Sequence, residues 1–311
     1  MNSEPGQQAI SRSIYARLIA VPIIWGGTFI AGKLVAEQVS PACASFVRFL
    51  FAALALLTAL HFSEGLRALR TLSPKQLMGT AALGVTGILA YNLCFFNALA
   101  VMPASRTALF VALNPVITVL IAVLFLGDKL TLTRWFGMAL ALSGVWIVIT
   151  RGDLSQLLQA VGRGELFMIG AVSSWAAYTL IGRKLLQGMS PLLSTTSAVL
   201  WGCVMLGVIA LFEAPKLSLT QWSAQVWMSL AFLGILGTAV AFVWYYEALR
   251  QLGAARTVVF NNLVPIFGVL LAWALLGEPL SWSLALGGTI AVAGVFLVNR
   301  VPAQQLKHKL P

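Results

Sequence analysis

A bilayer-length apolar run with a proline at its centre occupies Arg106–Asp128, RTALFVALNPVITVLIAVLFLGD. Roughly twenty residues pass without a charge, the length needed to cross a hydrocarbon core. In a soluble helix Pro115 would be a break. In a membrane helix a proline is tolerated where neighbours re-satisfy the backbone, and it bends the helix. The run recurs 150 residues later as Arg256–Glu278, RTVVFNNLVPIFGVLLAWALLGE. Arg106, Thr107, Phe110, Leu113, Pro115 and Gly127 each meet their own residue type there, and Asp128 meets Glu278.

The repeat extends beyond this helix. Positions 87–148 and 237–298 share 20 identities in 62 positions without a gap. Apolar matches are cheap in such a composition, so the glycine, proline and polar matches carry the inference. Upstream, the same offset pairs Trp25 with Trp175, Gly32 with Gly182, Lys33 with Arg183, and Ser40-Pro41 with Ser190-Pro191. The chain reads as two copies of one unit, 1–150 and 151–311.

Ten apolar runs fall near 14–36, 42–62, 76–100, 105–126, 133–150, 164–186, 191–212, 226–249, 255–276 and 281–299, five in each unit. The fifth and tenth are the shortest for a crossing. Ser40-Pro41, Pro103-Ala104, Gly127-Asp128, Ser190-Pro191, Gly253-Ala254 and Gly277-Glu278-Pro279 are the stop and turn signals between runs. Five is odd, so the second copy starts on the opposite side of the membrane. The predicted architecture is an all-α integral membrane protein of ten transmembrane helices in two inverted five-helix repeats.

Composition agrees: 59% of the 311 residues are hydrophobic and 9% charged, against about 25% charged in soluble domains. A net charge of +11 reflects basic cytoplasmic loops rather than nucleic-acid binding. With the N-terminus inside, 14 Lys and Arg fall on inner segments, 4 on outer loops, and Lys33 and Arg48 within helices near their outer ends. Both termini are therefore expected in the cytoplasm of a multi-pass plasma (bacterial inner) membrane protein. Cys43, Cys94, Cys203, His61 and His308 stand apart in sequence, so neither a metal site nor a disulfide framework is expected.

The stretches AYNLCFFNALAVMPASRTALFVALNPVITVLIAVLFLGDKLT and AFVWYYEALRQLGAARTVVFNNLVPIFGVLLAWALLGEPLS, with SPACASFVRFLFAALALL, resemble the drug/metabolite transporter superfamily, specifically its EamA-type ten-helix exporters. The likeness covers nearly the whole chain. Within it the chain resembles the YddG-type amino-acid exporters. That resemblance implies a basket of ten helices around a central cavity, and export of small metabolites. Glu247 departs from the pattern, which leads one to expect an aromatic or neutral residue.

Three groups are candidates for a solute site. Pro115 and Pro265 each free a carbonyl four residues earlier, that of Val111 and that of Asn261. Each is either a packing kink or a polar contact facing a cavity. Asn114, Asn261 and Asn262 are amides in or near the kinked helices, serving either interhelical hydrogen bonds or a solute. Trp25, Thr28, Tyr91, Asn92, Trp175, Tyr178, Trp244 and Tyr245 place aromatic faces and polar handles at membrane depth, as an amphiphile site would. Trp222 and Trp282, at helix ends, read as interfacial belt. The stripe Gly137, Ala141, Gly144 and its copy Gly287, Ala291, Gly294 reads as close helix packing. Lys33 and Arg48 are expected to snorkel from helix ends, with Glu37 available to Lys33 and Arg250 to Glu247.

The expected activity is alternating-access export of a small amphiphilic metabolite, an amino acid foremost, with no cofactor. A carrier of drugs, nucleosides or sugars on the same fold is the alternative. A lipid-modifying membrane enzyme would need clustered aspartates or a nucleophile–base pair, and the sequence contains neither. No carboxylate reads as mid-helix, so transport without obligatory proton exchange is expected, with Glu247 as the one candidate coupling group.

Overall fold

The computed structural model describes residues 12–126, 131–151, 161–185, 188–213, 221–252, 257 and 260–299. The regular structure among these residues is helical, with no strand. The helices are α1 Arg12–Ala36, α2 Pro41–Ser63, α3 Pro74–Val101, α4 104–126, α5 Leu132–Ile149, α6 Arg163–Leu185, α7 Pro191–Glu213, α8 224–252, α9 Val264–Leu276 and α10 Trp282–Asn299. Among the described residues nine are long and apolar enough to span a membrane. α9 is the short one at 13 residues. The two runs expected to be marginal, α5 and α10, are both unbroken 18-residue helices.

Local chemistry sets the helix ends. Pro41 and Pro74 occupy first turns, where the missing N–H has no partner to lose. Ser73 and Gln76 form a capping box, and Thr131 and Ser223 cap α5 and α8. Gly277 ends α9 in the left-handed conformation, φ 66°, which favours glycine. Both prolines of the repeat sit just after an interruption. α4 tightens to a 3-10 turn over Val111–Leu113 before Pro115, and a turn at 262–263 precedes Pro265. The Val111 carbonyl is not left free, because the tighter turn brings it the Asn114 N–H.

α5 and α10 show the inversion directly. A Cβ on Gly137 would lie 2.8 Å from the Gly294 carbonyl oxygen, and one on Gly144 would lie 2.5 Å from that of Gly287. The contact ascends one helix while it descends the other, so these equivalent helices are antiparallel. Subtracting the offset, 137 meets the copy of 144, and 144 meets the copy of 137. The interface maps onto itself when the repeats are exchanged, which is a two-fold relation. Ala141 and Ala291 are fully buried at the crossing. Without Cβ atoms at the glycines, the backbones approach closely enough for dispersion to hold them.

The same exchange relates α2–α8 to α7–α3. Both α3 and α8 change to π-helix in mid-membrane, over Gly84–Ala90 and Phe232–Val240. A Cβ on Gly84 would lie 2.8 Å from Trp201 Cβ and 2.9 Å from the Ala198 carbonyl oxygen. At the copy, Gly234, it would meet Phe51 Cβ at 2.6 Å and the Arg48 carbonyl oxygen. Each π segment therefore seats the second helix of the opposite repeat. Widened π turns also leave carbonyls that side chains must satisfy.

Candidate solute site

A chain of rings runs through the middle of the bundle. Tyr91 stacks on Phe95 at 5.9 Å between centroids and tilts against Trp175 at 5.4 Å. Trp175 stacks on Tyr178 at 5.2 Å and meets Phe242 edge-on at 6.0 Å. Phe242 meets Trp25 at 5.8 Å, and Trp25 meets Tyr245 at 5.4 Å. The Tyr245 hydroxyl receives a hydrogen bond from Asn261 Nδ2 at 3.2 Å. α1, α3, α6, α8 and the Pro265 turn thus contribute to one surface. None of the candidate residues is exposed: Thr28, Asn92, Tyr178, Asn262 and Pro265 are buried, and the others are half-buried. The belt residue Trp282, in contrast, is 62% exposed.

Not every candidate joins the ring chain. Trp244 points instead to the Arg17 guanidinium, 6.0 Å from its ring, near one end of the bundle. The Thr28 hydroxyl is committed to the Trp25 carbonyl, at 2.5 Å. Thr28 acts sterically: a Cβ on Gly237 would lie 2.8 Å from its methyl carbon. Asn114 and Asn261 each keep a buried Oδ1 that accepts no hydrogen bond among the described residues. Asn262, in contrast, is tied to Asn299 through its Oδ1 at 3.1 Å.

The π segments explain two more donors. The Trp25 indole N–H donates to the Gly237 carbonyl at 3.0 Å. At the copy of that carbonyl, Gly87, the donor is Asn92 Nδ2 at 3.3 Å, which also reaches Ile88 at 2.8 Å. Asn92 Oδ1 is thereby aimed at Arg48, whose Nη1 donates to it at 3.0 Å. Arg48 Nη2 donates to Thr238 Oγ1 at 3.4 Å, and Thr238 in turn donates to the Leu233 carbonyl five residues back. The guanidinium lies 5.2 Å from the Phe49 ring and 5.8 Å from that of Phe95, at one end of the ring chain.

Arg48 corrects the expectation that it would snorkel. It is 7% exposed and turns inward. Its Cα lies seven residues into α2, about 10 Å of helix rise from the end. The π segments of α3 and α8 offer it an amide and a hydroxyl at that depth, so no headgroup is needed. Arg48 and Thr238 are the polar residues beside the ring chain that the aromatic pattern misses. The signal available in sequence is a polar residue in one repeat facing an apolar one in the other: Arg48 against Ala198, Asn92 against Phe242, Thr238 against Ile88.

Charges elsewhere close the ends of the bundle. Lys33 donates to the Leu99 carbonyl at 2.9 Å and lies 3.6 Å from Glu37, the pairing its spacing predicts. Glu278 accepts from the Ala104 and Ser105 N–H groups at 2.7 and 2.9 Å, so the turn after α9 caps the kinked α4. Arg106, half-buried, and Glu165, buried, form an ion pair at 2.7 Å. At the other end Glu247 pairs with Arg17 at 2.8 Å, both partly exposed, while the Arg250 side chain lies outside the described residues. Glu247 is therefore a partly exposed ion-pair member in the last turns of α8, two residues beyond Tyr245, and its carboxylate is committed to Arg17.

An apolar groove of about 450 Å³ opens between α2, α7 and the start of α8, lined by Phe46, Leu50, Leu211, Trp222 and Trp227 among others. Leu50 and Leu211 are exposed there. The groove offers no polar partner and faces the lipid side, so the ring chain, not this groove, is the candidate site.

Comparison with known proteins agrees with this architecture. The model of the EamA-like transporter family matches twice, at residues 13–150 and 162–300. The uncharacterized transporter YyaM of Bacillus subtilis is 29% identical over 301 residues, covering 96% of this chain and 98% of its own length. A probable terminal-alkyne amino-acid exporter of Streptantibioticus cattleyicolor is 25% identical, with 94% of each chain covered. The uncharacterized inner membrane transporter YedA of Escherichia coli is 28% identical over 92% of this chain and 90% of its own. A solved crystal structure at 20% identity superposes with a TM-score of 0.65, covering 96% of this chain and all of that one, which speaks for the fold. Matched across both repeats, this multi-pass membrane protein belongs to the EamA-like transporter family and is a transporter rather than an enzyme.

Proposed function

We propose that the protein exports small amphiphilic metabolites, amino acids foremost, across a bacterial inner membrane by alternating access. The observation that carries the reading is the ring chain ending in polar groups, Arg48 at one end and the Tyr245–Asn261 pair at the other. Aromatic faces take an apolar side chain, and the polar ends orient a charged or hydrogen-bonding group. The two repeats, 1–150 and 151–311, are the bodies that rock about the site, which opens first to one side and then to the other. The basic-residue count favours cytoplasmic termini. The terminal-alkyne amino-acid exporter supports the substrate class by analogy.

Transport runs down the solute gradient without obligatory proton exchange, because Glu247 sits in a partly exposed ion pair rather than in the solute path. The test is counterflow by purified protein in liposomes, against labelled amino acids, nucleosides and sugars. Trans-stimulated uptake of amino acids is expected. It should be unaffected by an imposed pH gradient and unchanged in Glu247→Gln. Uptake of another class alone, or accumulation that follows the pH gradient and vanishes in Glu247→Gln, refutes the corresponding part.

A further inference from the structure

We propose that Arg48 is the specificity-determining residue of the site and binds a carboxylate on the solute. The inference rests on the transport reading above and adds the chemical group that the solute must carry.

The argument starts from charge. Arg48 is a permanent cation, 7% exposed, in the middle third of a membrane helix. Its two recorded acceptors, Asn92 Oδ1 and Thr238 Oγ1, are both neutral. No carboxylate forms an ion pair with it among the described residues, whose ion pairs are Arg17–Glu247, Lys33–Glu37 and Arg106–Glu165. Its Nε is buried and has no acceptor. A buried cation without a counter-ion costs several kcal/mol even with hydrogen bonds. A guanidinium has five N–H groups in a fork, and two are used here. The unused ones include Nε–H, on the edge that a carboxylate engages through two parallel bonds.

The fold itself does not require this charge. The symmetry mates of Arg48, Asn92 and Thr238 are Ala198, Phe242 and Ile88. Ala198 packs in one cluster with Phe242, and Ile88 packs against Gly202, one turn beyond Ala198. These three equivalent positions are therefore filled once with polar residues and once with apolar ones, although the second crossing carries a hydrogen bond of its own one turn away, from Ser197 to Thr80. The polar version answers a need other than packing. Phe95 and Tyr91, which lead from the guanidinium into the ring chain, place an aromatic wall where the solute's apolar part would lie.

The test uses the full-length protein in phosphatidylcholine liposomes, where no anionic headgroup competes. Counterflow is compared for phenylalanine and its uncharged-carboxyl analogue phenylalaninamide. Binding of 3-phenylpropionate to the protein in detergent is read separately by tryptophan fluorescence. The wild type should prefer the carboxylate by about 10-fold or more, the value of one charge-assisted contact. Arg48→Gln should abolish the preference, and Arg48→Lys should restore part of it. Asn92→Asp is isosteric and supplies an internal counter-ion beside Arg48. It should lower carboxylate binding about 10-fold more than it lowers handling of the amide. This variant keeps the test decisive if Arg48→Gln does not fold. Unchanged discrimination in Asn92→Asp, or equal handling of acid and amide by the wild type, overturns the proposal. Binding of 3-phenylpropionate that Asn92→Asp weakens, with no transport of any solute, upholds the anion site and refutes the transport reading. Absence of both binding and transport overturns both. Inhibition by added phosphatidylglycerol in place of solute binding would assign the guanidinium to a lipid headgroup and overturn it likewise.

Discussion

The two halves of this protein share a backbone plan and differ in chemistry. In one half-site the second helix meets a π segment through Arg48, Asn92 and Thr238. In the other, Ala198, Phe242 and Ile88 occupy the equivalent places. The glycines that permit the approach, Gly84 and Gly234, are retained in both. Alternation between two outward shapes requires that the halves exchange conformations, so the steric requirements must match. The proposed solute has different ends, so on that reading the polar groups need not match. Ion pairs follow the same logic. Arg106–Glu165 has mates Arg256 and Tyr15, and Arg17–Glu247 has mates Phe167 and Asn97, so neither pair is repeated.

The largest effect that would sharpen this comparison is expected at the Arg106–Glu165 ion pair. Glu165→Gln leaves Arg106 without its counter-ion and should cost about 3–5 kcal/mol in detergent unfolding. Tyr15→Phe, at the mate, touches an exposed residue and should cost within about 0.5 kcal/mol. Equal losses would show that the pair is not a one-sided device.

The glycines test the shared part. Gly84→Val and Gly234→Val each drive a branched side chain into a facing backbone, and each should cost about 1–3 kcal/mol, nearly the same on both sides. A loss at one site alone would break the claim of steric equivalence. A smaller contrast is expected at the tryptophans. Trp25→Phe uncaps the Gly237 carbonyl and should cost about 1–3 kcal/mol. Trp175→Phe should cost less, because Asn92 already serves the matching Gly87 carbonyl.

Much of this was legible in the sequence because it depends on period and offset. Helix number, inversion and the positions of Pro115 and Pro265 follow from twenty-residue apolar runs and a constant spacing. The close packing of Gly144 on Gly287 follows from two small-residue stripes. Placing Trp25, Trp175 and Tyr178 in one ring chain needed only their equivalent positions in α1 and α6. What escaped depends on contacts distant in sequence. Arg48 reads as a snorkelling residue until Thr238, 190 positions away, is found beside it. The π turns carry no signature beyond glycine spacing, and without them the roles of Asn92 and of the Trp25 indole are invisible. Trp244 shares the composition of the candidate site but faces Arg17, while its neighbour Tyr245 meets Trp25.

The central claim is that one asymmetric site sits between two bodies that exchange conformations. The most direct measurement is a pair of spin-label distances in liposomes, one across the Glu278 end and one across the Arg17 end, with and without saturating solute. Reciprocal changes are predicted, the distance at one end shortening as that at the other lengthens. Distances that move in the same direction at both ends, or do not move at all while solute is transported, would contradict it.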